Sequence, residues 1–115
     1  MAKELWINLP VKDVQKSKDF FTKLGFKFNP GLSRGDESAC LVIGSNNVIV
    51  MLFTEPTFKN FTSTEIAETK SVSEVLFSIG AESREEVDEM ANKALKAGGS
   101  IFGKPKETLG WMYGC

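Results

Sequence analysis

No histidine occurs in these 115 residues, so proton transfer or metal ligation would fall to carboxylates, thiols and amides. Glu74 stands at the head of the alternating segment Glu74-Val75-Leu76-Phe77-Ser78-Ile79. Held among apolar side chains, such a carboxylate serves as a general base or holds a ligand amine. Left in water beside Ser73, it does neither. Trp6 and Asn8 share one side of Leu5-Trp6-Ile7-Asn8-Leu9, because successive strand side chains alternate between faces. The indole either stacks a planar ligand or plugs a core. The Asn8 amide either orients a polar ligand or bonds a neighbouring strand. Ile49, Met51 and Phe53 alternate with Val48, Val50 and Leu52. A strand apolar on both faces is buried on both, and one face would also suit an apolar pocket. Trp111 and Tyr113 share the side opposite Met112, between Gly110 and Gly114. They form either an aromatic wall of a ligand cleft or a packing surface for another strand or chain.

The elements that must position these residues are written twice. From Leu5 to Phe28 the chain reads strand, Asp13 as helix cap, an apolar stripe of Val14, Ser17, Phe20, Phe21 and Leu24, then Gly25 and a new strand Phe26-Lys27-Phe28. From Glu74 to Phe102 it reads strand, Ser83 as cap, a stripe of Val87, Met90, Ala91, Ala94 and Leu95, then Gly98-Gly99 and a new strand Ser100-Ile101-Phe102. Ser83-Arg84-Glu85-Glu86 fits a reciprocal cap, with the Glu86 carboxylate returning to the serine amide. Between the copies, Ala39–Ile43 and Val48–Phe53 read as a hairpin turning at Gly44-Ser45-Asn46-Asn47.

The first module, about 4–54, is therefore β-α-β-β-β. A polar linker covers about 55–72, with Pro56, Phe58 and Phe61 expected to fold back on something apolar. The second module, about 73–115, gives β-α-β and a strand over Gly110–Cys115. By symmetry a fourth strand should follow, whether the ending is natural or that of a fragment.

The chain is short enough for one domain and long enough to bury a core without disulfides. A net charge of -1 with scattered basic residues argues against a nucleic-acid partner. No apolar run has membrane-spanning length and no signal segment is visible, so no membrane partner is expected. Cys40 and Cys115 have no paired spacing and read as free thiols in a reducing cytoplasm. The sequon at Asn60-Phe61-Thr62 is then without consequence.

Leu9-Pro10-Val11-Lys12-Asp13, Ser17-Lys18-Asp19-Phe20-Phe21 and Leu24-Gly25-Phe26 resemble the opening of the glyoxalase/bleomycin-resistance/dioxygenase superfamily, the vicinal oxygen chelate fold. Glu86-Val87-Asp88 through Ala97-Gly98-Gly99, and Gly110-Trp111, extend the resemblance. It implies an α+β fold in which paired βαβββ modules curl a mixed sheet into a cup, with helices outside and the second module incomplete. In metal-dependent members, four inward histidine or glutamate side chains grip a divalent ion that polarises substrate oxygens. Here the first ligand position falls on Trp6, the second near Met51 and the third on Glu74. Indole nitrogen only donates and a thioether is a soft ligand, so neither a metal nor another cofactor is expected.

The resemblance leaves three readings. One is metal-independent binding of a small apolar or aromatic molecule by Trp6, Asn8, Met51, Phe53, Trp111 and Tyr113, in the cup or a dimer groove. The second is a divalent-metal lyase, isomerase or dioxygenase, which would need ligands not visible in this chain, from a missing final strand or a partner; Glu74 is the candidate catalytic residue, as a general base in an apolar cup. The third is a non-catalytic interaction protein. A homodimer is expected, since an unfinished sheet edge invites pairing.

Overall fold

The computed structural model describes residues 4–45 and 48–115. The chain divides into two compact units, Met1–Val72 and Ser73–Cys115.

The first unit runs β1 (Leu5–Val11), α1 (Val14–Lys23), β2 (Lys27–Phe28), a 3-10 turn (Pro30–Leu32), β3 (Ser38–Val42), β4 (Val48–Thr54) and α2 (Glu55–Thr62). Its sheet has the order β1-β4-β3-β2. β1 and β4 are parallel, while β2–β3 and β3–β4 are antiparallel. The parallel pair follows from the connection: α1, β2 and β3 intervene, and such a crossover brings β4 back in the direction of β1. The β3–β4 hairpin matches the expectation, although Asn46 and Asn47 of its turn lie outside the described residues.

The core forms on one face. Leu41, Val50 and Leu52 are buried there, with Ile7, Leu9, Val11, Phe21 and Phe28 packed around them. α1 covers this face with Val14, Phe21 and Leu24, the stripe its spacing requires. Its start and stop are local chemistry. The Asp13 carboxylate accepts from the Lys16 amide at 3.0 Å. At the other end Gly25, at φ +100°, lets its own amide reach the Thr22 carbonyl and the Phe26 amide reach that of Phe21.

The sequence does not announce α2. Its signals are Glu55 in the first turn and Pro56 just inside it, both favourable at a helix start. Phe61 folds back as its apolar character suggests, stacking on Phe53 with ring centroids 5.1 Å apart.

The second unit contains α3 (Arg84–Lys96) and the hairpin β5 (Lys106–Thr108)–β6 (Met112–Gly114). α3 begins on the Ser83 hydroxyl, which accepts from the Glu86 amide. The return bond from Glu86 goes to the Glu82 amide at 3.0 Å, one residue earlier than the expected serine amide. The helix ends on Gly98, again at φ +100°, with the Gly98 and Gly99 amides on the Leu95 and Ala94 carbonyls. This repeats the motif that closes α1.

Three expectations fail here. Residues 74–79 belong to no strand ladder among the described residues: alternation sets a face, and a strand also needs backbone hydrogen bonds to a neighbour. Ser100-Ile101-Phe102 is no strand either: the Phe102 side chain is fully exposed, and the hairpin starts only after Pro105. Trp111 belongs to the turn joining β5 to β6, where Leu109 and Gly110 both take positive φ. It therefore shares no ladder with Tyr113.

Candidate functional site

The first sheet carries its chemistry on the face opposite α1. Strand register sets the side chains there in rows. Trp6, Ile49 and Val42 lie side by side across β1, β4 and β3. Asn8, Met51 and Cys40 form the next row, and Pro10, Phe53 and Ser38 the third. Met51, Cys40 and Ser38 are buried, and Phe53 is half-buried under Phe61. The outermost row is open: Trp6 is 44% exposed and Val42 43%. Asn8 is also exposed.

Trp6 is partly oriented by its own strand end. The indole N–H donates to a Glu4 carboxylate oxygen at 2.8 Å, which leaves the ring faces as its remaining binding surface. Next to this row lies a cleft of about 180 Å³ lined by Glu4, Asn29, Leu32, Cys40, Val42 and Ile49. Ligand pockets usually measure about 300–1,000 Å³, so the cleft admits one ring or chain end and leaves the rest on the surface. Its wall is braced by Ser33, whose hydroxyl donates to the Asn29 carbonyl at 2.8 Å and accepts from the Cys40 amide at 3.1 Å. Burial pushes the Cys40 thiol up from its ordinary range, partly opposed by a hydrogen bond from the Asn29 backbone. A buried neutral thiol is a poor nucleophile. Asn29, Leu32 and Ser33 carry no motif, and only the turn that returns them to β3 marks them as part of this surface.

The donor set on this face does not fit a divalent ion. The Trp6 indole only donates, and already does so to Glu4, and the Met51 thioether is a soft, buried group. Among the described residues, no cluster of three or more His, Cys, Asp or Glu side chains is placed to hold a metal.

In the second unit Glu74 is exposed. Trp111 is 75% exposed in its turn. Tyr113 is half-buried and already engaged. Its hydroxyl donates to Asp88 at 2.7 Å, and the Arg84 guanidinium stands 4.8 Å from its ring centroid. The Asp88 hydrogen bond and charge, with some burial, hold the phenol above its ordinary value, while the Arg84 charge pulls it down. Arg84 also pairs with Glu107. These contacts tie the first turn of α3 to the β5–β6 hairpin. A wider trough of about 720 Å³ lies between α3 and residues 101–105. One wall is the fully exposed Phe102, so it does not enclose a ligand.

The structure thus gathers Trp6, Asn8, Met51 and Phe53 on one sheet face. Glu74, Trp111 and Tyr113 lie in the other unit. No helix among the described residues is long and apolar enough to cross a membrane.

Comparison with known proteins adds the following. A family model described as bleomycin resistance protein-like N-terminal matches residues 3–44. Among solved structures, a hypothetical protein from S. aureus is 33% identical, with 98% of this chain and 82% of that one covered at a TM-score of 0.84. A glyoxalase/bleomycin resistance protein/dioxygenase family enzyme from Burkholderia phytofirmans PsJN is 19% identical, covering 94% and 83% at 0.72. A glyoxalase-related enzyme from Fulvimarina pelagi is 14% identical, covering 95% and 74% at 0.78. At such identities the last two establish likeness of fold alone. The comparison with curated proteins gave no match.

Proposed function

Since the chain belongs to the glyoxalase/bleomycin-resistance/dioxygenase superfamily, we propose that it binds a small apolar or aromatic molecule without a metal, on the α1-distal face of its first sheet. The observation that carries this is the pair Trp6 and Met51. Where metal-dependent members would place ligands, this face offers an exposed indole and, in the next row, a buried thioether. The Trp6–Ile49–Val42 row supplies a flat apolar platform. The adjoining cleft takes one end of the ligand, and the Glu4 carboxylate at its rim favours a neutral or cationic molecule over an anion. Asn8 orients a polar group, while Met51 and Phe53 back the platform from below. Glu74, Trp111 and Tyr113 are proposed to reach a ligand only when two copies associate, and the protein is accordingly proposed to be a homodimer in the cytoplasm.

The test is a panel of aromatic cations and neutral aromatic compounds, with and without chelator, read by thermal shift and by Trp6 fluorescence in a Trp111→Phe background. We expect quenching by at least one flat compound, unchanged by chelator, and about two- to twelvefold weaker binding in Trp6→Ala, as loss of a stacking aromatic worth about 0.5–1.5 kcal/mol implies. Binding that requires a stoichiometric divalent ion would overturn the proposal, as would a panel that leaves the melting temperature and fluorescence unmoved.

A further inference from the structure

Phe53 is the aromatic side chain that β4 sets on the α1-distal face, and its ring already has a partner. α2 follows β4 without a connecting residue and packs against β1 and β4. It brings Phe61 onto the Phe53 ring, with centroids 5.1 Å apart and planes inclined at 58°. This contact is made within the first unit, on the face opposite Leu41, Val50 and Leu52. Neither ring belongs to the core that α1 covers. α2 also has ties of its own. Glu55 and Pro56 suit its first turn, the Ser63 amide donates to the Lys59 carbonyl at 2.8 Å, and the Lys59 ammonium pairs with Glu65 at 2.9 Å. Aromatic rings pair with centroids about 4.5–7 Å apart, so a ligand ring held between Phe53 and Phe61 would need them about 9 Å apart. At 5.1 Å no ring fits between them. Phe61 stands where a second ligand ring would stack.

We infer that Phe61 limits the length of the ligand on this face, so that the native occupant is a single aromatic ring with a short substituent and not an elongated polycycle. The inference rests on the ligand reading above and names its size class. From Ile49 to Phe53 the strand advances about 13 Å, at about 3.3 Å per residue. A compound stacked on Trp6 beside Ile49 and continued along β4 toward Phe53 meets Phe61. At the other margin, the cleft of about 180 Å³ beside the Trp6 row takes only one ring or a chain end. The platform is therefore bounded at both ends, and Phe61 is the side chain that sets the inner bound.

The test uses pairs of flat compounds with one headgroup, one member carrying a single ring and the other linked or fused rings. Binding to the full chain is read by Trp6 fluorescence in the Trp111→Phe background. Phe61→Ala should tighten binding of the longer compound about two- to twelvefold relative to the shorter one, the worth of one new aromatic pair on Phe53. Adding Phe53→Ala should abolish that gain. Phe61→Leu keeps an apolar cover and should shift the ratio less in the same direction. Circular dichroism shows which variants fold, and Phe61→Leu carries the test if Phe61→Ala does not fold. A wild type that binds at Trp6, with the same size preference in the folded variants, overturns this inference and leaves the ligand reading standing. Weaker binding of both compounds in Phe61→Ala also overturns it, because Phe61 would then be part of the platform. Binding of no compound by the wild type or the variants overturns both readings.

Discussion

Trp6 and Tyr113 show how differently similar residues can be placed. Both are aromatic side chains singled out by face and spacing. Trp6 commits its N–H to Glu4 and remains 44% exposed. Tyr113 commits both its hydroxyl, to Asp88, and its ring, to Arg84, so it serves the α3–hairpin junction before it serves a ligand. That role has a pH signature. The folded phenol titrates above its ordinary value because the neutral form donates to the Asp88 carboxylate. A group with a raised folded pKa contributes fully below its unfolded value and loses that contribution as pH rises through the folded one. Tyr113→Phe should therefore melt below the wild type at neutral pH, with the gap closing above about pH 10, the ordinary phenol range. Tyr113 is the only tyrosine in the chain, so ultraviolet titration reads it directly. An unshifted phenol and a pH-independent gap would remove Tyr113 from the junction.

At the scale of elements, the ends of the long helices and the β3–β4 hairpin are legible in the sequence, and the pairing of strands far apart in the chain is not. Asp13 and Ser83 cap as their positions demand, and Gly25 and Gly98 close the helices with the same left-handed turn. These are bonds among neighbours in sequence. Asp13→Ala should cost about 1 kcal/mol in urea unfolding, while Asp13→Asn keeps most of it, since the amide oxygen still accepts from Lys16. Equal losses for the two variants would mean that charge, not the cap bond, does the stabilising. α2 was hidden because eight residues carry too few turns for a visible period. The alternation of residues 74–79 predicts a strand, yet alternation describes a face, and a strand also needs a neighbour.

At the scale of the molecule, the first unit has a defined interior and the second a sparse one. Leu41 and Leu52 are each 2% exposed in the first, and Leu52 lies centrally on β4 between β1 and β3. Leu52→Ala should lose about 2–5 kcal/mol of unfolding free energy, from lost transfer energy and the cavity left behind, measured by urea denaturation. A loss under about 1 kcal/mol would mean that this sheet does not carry the stability. In the second unit, of the α3 stripe expected to be buried, only Ala91 is, and Leu95 is 51% exposed. Hydrophobic spacing states which side chains seek cover. It does not state what covers them.

The sequence by itself determined the α+β class, the β-α-β-β-β order of the first unit, both long helices with their caps, and the lack of histidine among its 115 residues. These follow from local bonds, from side-chain period and from residue identity. Only the tertiary structure decided that Trp6, Ile49 and Val42 form one open row, that Cys40 and Met51 lie buried in the next, that Asn29 and Ser33 brace the cleft, and that Tyr113 belongs to Asp88 and Arg84. Each of those facts depends on the register between segments far apart in the chain. A residue's type states what it can bond, and the partner that arrives across the sheet or from the next helix settles which bond is made.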